Sequence, residues 1–321
     1  MIEKSPPPIS IVDVSKVFTT GLWTKKTAVD HLSLEVPQGE VVGLLGPNGS
    51  GKSTTLKMIL GFLKPTDGEI RIRSFTPQQK EARSLLGYLP ENPKFQKFLS
   101  GEDILKYYGG LLGLQGEARQ KRIDEMLELV DLKHAAKERV RGYSKGMTQR
   151  LAIAQSLLNS PEIVILDEPM SGLDPIGRIE MRELIARVHE ELPSTTLFFS
   201  THILADVEQL CSHVALLQKG RLATYCNIQE LLSSNEEKYE ITVRDLNHEL
   251  SNKLLGNSKI TASGTAVTVE GTGELLELVA EIKKAGGKVV TLSSQRASLE
   301  RALFKEGQLP TSLPKANEVS Q

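Results

Sequence analysis

Val41-Val42-Gly43-Leu44-Leu45-Gly46-Pro47-Asn48-Gly49-Ser50-Gly51-Lys52-Ser53 is the stretch on which the reading of this chain turns. Its first five residues form an apolar run the length of a buried strand, and its last eight satisfy the pattern G-x4-G-K-[ST]. Behind it, Leu56, Ile59, Leu60 and Leu63 recur at the 3.6-residue period of a helix, and Pro65 predicts where that helix stops. A strand, a glycine-rich loop and a helix therefore follow one another. Small residues let successive backbone N–H groups converge on an anion, and the positive end of the helix dipole adds to the attraction. The loop is thus a candidate phosphate cradle made by Gly46, Pro47, Asn48, Gly49, Ser50, Gly51 and Thr54. In it Lys52 reaches the β- and γ-phosphates and Ser53 offers its hydroxyl to Mg²⁺.

Outward from this loop, residues 9 to about 225 alternate short apolar runs with helical patterns, which predicts an α/β domain around a largely parallel sheet. Strand-like runs at 163–166, 195–200 and 214–218 are separated by helical patterns at 176–188 and 203–210. Residues 87–160 differ, with three helix-like patterns and little strand. Ile104, Leu105, Tyr108, Leu111 and Leu112 make one stripe there, and Ile123, Met126, Leu127 and Val130 another. An all-helical subdomain follows, with both stripes expected in the core.

The polar segment 233–238 marks a linker. Beyond it, strands at 239–243, 266–270 and 289–293 and helices at 274–284 and 298–306 suit a small α+β domain of ferredoxin-like order. The expected organisation is a nucleotide-binding domain over 9–230, an accessory domain over 237–307 and a disordered tail over 308–321.

The whole chain has 321 residues, 39 Lys plus Arg against 40 Asp plus Glu, and a net charge of -1. That balance removes the electrostatic case for a nucleic-acid partner, since phosphate-tracking domains carry a basic excess. Apolar runs are far shorter than the roughly 20 residues of a membrane helix. The start, Met1 to Pro8, lacks the apolar core of a secretory signal and reads as a loose leader. Cys211 and Cys226 cannot build a disulfide framework and read as core residues in a reducing compartment.

Ile163-Val164-Ile165-Leu166-Asp167-Glu168 places two carboxylates at the C-terminal end of a buried strand, where open α/β sheets bind ligands. With the phosphate loop upstream, Asp167 reads as a Mg²⁺ holder and Glu168 as the group that orients or deprotonates an attacking water.

The class comes from Arg141-Gly142-Tyr143-Ser144-Lys145-Gly146-Met147-Thr148-Gln149-Arg150, which opens a helix that Ser144 would cap. This segment resembles the signature of the ATP-binding-cassette (ABC) family, written L-S-G-G-Q-x-Q-R. Ser144, Gly146, Gln149 and Arg150 match, while Tyr143, Lys145 and Met147 depart. Further matches follow in family order. Ser171-Gly172-Leu173-Asp174 resembles the D-loop along a dimer seam, and His202 resembles the switch histidine at the γ-phosphate. Phe18 stands where an aromatic residue stacks on adenine, with Trp23 as runner-up. Gly87-Tyr88-Leu89-Pro90-Glu91-Asn92 falls at the Q-loop, where Glu91 replaces the usual Gln beside the metal.

The resemblance implies a P-loop ABC ATPase core that binds ATP and Mg²⁺, with Ser144 and Gly146 of one chain completing the site of a second. Lys52, Glu168 and His202 carry the chemistry; Ser53, Asp167 and Glu91 face the metal. The L-P-E form at the Q-loop and the segment 296–304 resemble the drug, sodium and polysaccharide exporter branch. That branch implies an ATPase subunit, homodimeric, cytoplasmic, and peripheral on the inner face of the membrane through a separate permease. The alternative is a soluble cassette ATPase of DNA repair or translation. Only residues 54–143 separate the phosphate loop from the signature, with no sustained heptads and no second phosphate loop, which favours transport.

Overall fold

The computed structural model describes residues 5–20, 24–233, 238–244, 259–263, 266–271, 279–280, 283–284 and 288–295. The chain divides into two compact units, Met1–Asn227 and Ile228–Gln321. The first runs β1 (Ile9–Thr20), β2 (Thr24–Val36), β3 (Val41–Leu45), α1 (Lys52–Ile59), β4 (Asp67–Ile72), α2 (Lys80–Ser84), β5 (Leu86–Leu89) and α3 (Gly101–Leu111). It continues through α4 (Gly116–Leu129), α5 (Lys145–Leu157), β6 (Ile163–Asp167), α6 (Pro175–Glu191), β7 (Thr196–Thr201), α7 (Leu204–Leu210), β8 (His213–Gln218) and β9 (Arg221–Asn227).

A six-stranded sheet of order β5-β6-β7-β3-β8-β9 forms its centre, parallel except for the β8–β9 hairpin. β3, β6 and β7 are buried at every position, and burial on both faces is why they read as unbroken apolar runs. Consecutive residues of β7 point to opposite faces, so Phe198 packs with Ile9, Leu44 and Leu56 while Phe199 packs with Leu105, Met126 and Leu151. The register sets Leu45 beside Thr201 and Asp167 beside Ser200. The strand ends carrying the phosphate loop, the acidic pair and His202 are thereby neighbours.

The parallel sheet is as expected; one sheet is added to it and two boundaries are corrected. A separate antiparallel sheet of order β2-β1-β4 joins the parallel one; β1 buries Ile9 and Ile11 and exposes Val12, the alternation of a half-buried antiparallel strand, and a register shift after Ile11 then brings Val14 into the core. Residues 87–89 belong to β5, hydrogen-bonded to β6, rather than to the helical insertion of α3, α4 and α5. The α1 helix stops at Ile59, well before Pro65, because Gly61 takes φ 74° and the Gly61 N–H turns back to the Met58 carbonyl.

The stripe of α4 is buried as expected, but in α3 only Ile104 and Leu105 are; Leu111 is 67% exposed and Leu112 43%. Cys211 is half-buried and packs against the core, and Cys226 is half-buried on β9. No helix among the described residues is long and apolar enough to cross a membrane.

In the second unit α8 (Ile228–Ser233) precedes β10 (Lys238–Arg244), β11 (Lys259–Ser263), β12 (Ala266–Gly271) and β13 (Lys288–Gln295). They form one antiparallel sheet of order β11-β12-β10-β13. That order, with the first strand between the third and fourth, agrees with a ferredoxin-like module. The strand at Lys259–Ser263 had no counterpart in the sequence reading. Of the helix expected over 274–284, residues 279–280 and 283–284 are described and helical. The leader's residues 1–4, the linker's residues 234–237, Trp23, the helix over 298–306 and the tail over 308–321 lie outside the described residues.

Candidate active site

The phosphate loop leaves β3 and enters α1 through a tightly constrained backbone. Gly49 and Gly51 hold φ 80° and 110°, which side-chain-bearing residues rarely adopt. A Cβ on Gly51 would lie 2.6 Å from the Ala28 carbonyl oxygen. The Gly46 N–H donates to the Thr201 carbonyl, Ser50 N–H to Pro47 O and Gly220 N–H to Ser50 O, so the loop is braced against β7 and the β8–β9 turn. Gly51 is the N-cap of α1 and supplies no side-chain acceptor. The first N–H groups of that helix therefore remain available to an anion. The Ser50 hydroxyl is buried and has no partner among the described residues.

Lys52 is buried within this loop and donates to Gly46 O at 2.7 Å. Its ammonium also lies 3.3 Å from Glu168 Oε1, and Glu168 Oε2 lies 2.9 Å from His202 Nδ1. One carboxylate thus bridges the lysine and the histidine that the sequence selected separately. Glu168 has φ 47°, a conformation that costs about 1–3 kcal/mol and needs surrounding bonds to hold it. Those bonds are present. Glu168 N–H donates to Ser200 O at 3.2 Å and to Ser200 Oγ at 3.1 Å, and Glu168 O accepts from Ser171 N–H at 2.9 Å.

Asp167 receives the Ser200 hydroxyl at 2.8 Å. Burial pushes its carboxyl above the usual range; the Ser200 bond opposes that shift, and the negative charges of Glu91 and Glu168 add to it. A carboxylate held this way gains from a cation close by. Glu91 accepts the Ser171 hydroxyl at 3.2 Å through its side chain and the Gln149 amide at 3.1 Å through its backbone. The Q-loop position is therefore tied both to the segment 171–174 and to α5.

These groups open onto a cleft of about 770 Å³ lined by Phe18, Asn48, Gly49, Gly51, Lys52, Ser53, Thr54, Glu91, Glu168 and His202. Phe18 lies half-buried on β1, with the Lys16 ammonium 5.4 Å from its ring centre. An aromatic face, an anion cradle, a buried lysine and a carboxylate aimed at a histidine in one groove suit a nucleoside polyphosphate.

Comparison with known proteins agrees. Residues 29–171 match the sequence profile of the family described as "ABC transporter". An ABC transporter ATP-binding protein of Synechocystis sp. is 39% identical over 311 residues, covering 95% of this chain and 86% of that protein. This chain belongs to the ABC transporter ATP-binding proteins. It binds nucleotide and hydrolyses ATP as a transporter subunit. The bacitracin transport ATP-binding protein BcrA of Bacillus licheniformis is 40% identical, over 71% of this chain and 74% of its own length. Among solved structures, cbiO1 of Clostridium perfringens superposes with a TM-score of 0.63 at 27% identity, covering 71% of this chain and 92% of that one. A dimeric ATP-binding cassette bound to ADP and Pi gives 0.61 at 27% identity, covering 68% and 98%.

Within the ABC chain, not every residue selected from sequence lines the cleft: Asp167 is buried beside Glu168 without lining it, and Ser144, Gly146 and Asp174 lie elsewhere. Ser144 caps α5, its hydroxyl accepting from Met147 N–H at 3.1 Å, and Gly146 lies in the first turn of the same helix. Asp174 caps α6, accepting from Gly177 N–H at 3.0 Å ahead of Pro175. The Asp-Pro pair is itself a helix-start signal that the sequence reading passed over. Gly46, Pro47 and Ser50 shape the loop from behind the cleft. Ser171, from the segment resembling the D-loop, does line the cleft; the structure adds Ser200, which holds Asp167 and Glu168 together, and the lining residues Lys26, Lys219 and Gly220. Their pattern is not local, and nothing in the sequence alone pointed to them.

Proposed function

We propose that this chain is the energising subunit of an exporter: two copies enclose MgATP at their seam and drive a separate membrane permease from the cytoplasmic face. The observation that carries the reading is Glu168 lying within 3.3 Å of Lys52 and 2.9 Å of His202 at the end of a braced phosphate loop. BcrA is a bacitracin transport protein, and cbiO1 is part of the ABC transporter complex cbiONQ; both support transport over DNA repair or translation.

In this reading the nucleotide's phosphates displace Glu168 from Lys52. Lys52 then faces the β- and γ-phosphates, Glu168 orients and deprotonates the attacking water, and His202 steadies the γ-phosphoryl group. Ser53 and the buried Asp167 fit Mg²⁺, a hard cation that takes one or two protein oxygens and completes its shell with phosphate and water; Glu91 stands beside them. Bound Mg²⁺ supplies charge neutralisation along the phosphate chain. Ser144 and Gly146 complete the partner's site, with Asp174 at the seam. The nucleotide-binding domain spans 9–230, with its helical subdomain following β5, from about 100 to 160. The module at 237–307 supports the dimer or its regulation.

Glu168→Gln tests this directly. It should keep ATP binding, lose about 10²- to 10⁴-fold in turnover and accumulate an ATP-dependent dimer on sizing chromatography. Turnover near wild type would reject the role of Glu168.

A further inference from the structure

We propose that Lys219 and Lys26 are nucleotide contacts, two cations lining the cleft, one on the turn fastened to the phosphate loop and one opposite Phe18, that address the ribose and inner phosphates. The proposal rests on the cleft being the ATP site.

Lys219 occupies the two-residue turn Lys219-Gly220 between β8 and β9, flanked by the pair Gln218 and Arg221. Both turn residues have positive φ, 49° and 84°, as such tight hairpins demand. The turn is fastened to the phosphate loop. Gly220 N–H donates to Ser50 O at 2.9 Å, and Asp30 N–H donates to Gly220 O at 2.9 Å. The Ala28 carbonyl packs against both glycines: added Cβ atoms on Gly51 and Gly220 would lie 2.6 Å and 2.9 Å from it. Lys219 thus projects from a body whose position relative to the phosphate cradle is fixed, and it lines the cleft.

Lys26 stands directly opposite Phe18 in the β1–β2 ladder. Directly paired residues share a face of the sheet, and both line the cleft. The base-side aromatic residue and this cation therefore arrive together. Lys52 is already engaged by Gly46 O and Glu168, whereas Lys26 and Lys219 are exposed and have no carboxylate partner among the described residues. Two uncompensated ammonium groups facing a groove that takes a polyanion are positioned for charge-assisted hydrogen bonds to it. Exposure limits each contribution to about 2- to 5-fold in affinity.

The test is equilibrium binding of ATP and of ADP to the full chain at low and moderate salt. Lys219→Asn keeps the left-handed backbone accessible, and Lys26→Gln keeps the strand. Lys25→Gln is the control, since Lys25 is the neighbouring exposed cation on β2 and does not line the cleft. Lys219→Asn and Lys26→Gln should each weaken ATP and ADP by about 2- to 5-fold at low salt, with the loss shrinking as salt rises. Lys25→Gln should stay with wild type. If Lys25→Gln weakens binding equally, or the two cleft variants bind as wild type does, the inference is overturned. A wild-type chain that binds no ATP would instead overturn the assignment of the cleft itself.

Discussion

The first turns of α1 and α5 are two versions of one device, a loop that hands its chain to a helix N-terminus. At α1 the cap is Gly51, without a side-chain acceptor, and Lys52 behind it is buried and bonded to Gly46 O and Glu168. An acidic strand end closes the other side. At α5 the cap is Ser144, whose hydroxyl already takes the Met147 N–H, and both Ser144 and Lys145 are exposed, away from the cleft residues. The same backbone chemistry is a walled site in one place and an open display in the other. In the proposed dimer, one polypeptide would supply a phosphate half-site and, separately, a surface for a second molecule to use.

Breaking the walled junction should give the largest effect. Lys52→Ala removes the cation at the centre of the loop, so ATP affinity and turnover should both fall sharply, whereas His202→Ala should keep much of the affinity and lose mainly turnover. Binding isotherms beside steady-state rates decide this, and equal losses of affinity would end the division of labour.

Mixing chains tests the open junction. Ser144→Arg and Glu168→Gln homodimers each hold two defective sites, while a mixed dimer holds one site with neither defect. ATPase activity should reappear on mixing, toward half the wild-type rate per mixed dimer for independent sites. A mixture no more active than its components would argue against a signature acting across the seam between independent sites.

A smaller effect separates capping from contact at Asp174. Asp174→Ala removes the acceptor of the Gly177 N–H and should cost about 0.5–2 kcal/mol of stability, read as a lowered Tm. Asp174→Asn retains the acceptor and should restore the Tm. Loss of ATPase in Asp174→Asn with an unchanged Tm would place Asp174 in the dimer chemistry as well.

The smallest effect lies away from both junctions. The Asp13 carboxylate, 2.7 Å from His31 Nδ1, raises the His31 pKa above its ordinary 6.5. A raised folded-state value favours the charged form, so the pair's contribution is full below 6.5 and disappears as pH rises through the raised value. His31→Gln should therefore lower Tm at about pH 6 and leave it unchanged at about pH 8. A loss of equal size at both pH values would remove the ion pair as its cause.

The phosphate loop, the acidic pair at the end of β6, His202 and the signature helix were legible in the sequence because each is written within a few consecutive residues. Local backbone geometry is enough to make a loop cradle or a helix cap, and the apolar period places each on its strand or helix. The early end of α1 was legible too, in Gly61, had glycine been weighed ahead of Pro65. The exposure of Leu111 was not, since a helical stripe specifies a face without stating how far its neighbours extend along it.

What the sequence determined by itself was the kind of chemistry: a G-x4-G-K-[ST] loop on a buried strand, with carboxylates and a histidine to follow. Only the tertiary structure decided that Lys52, Glu168 and His202 touch, that Ser200 holds the acidic pair, and that Lys219 and Lys26 share the groove. Those meetings depend on β3 pairing with β7 and β8, on β7 pairing with β6, and on the β8–β9 turn bonding to Asp30 of β2 and to the phosphate loop, across long intervals of chain. Register between distant strands is fixed by the packing of whole faces such as those of Phe198 and Phe199, so no short window of residues can contain it.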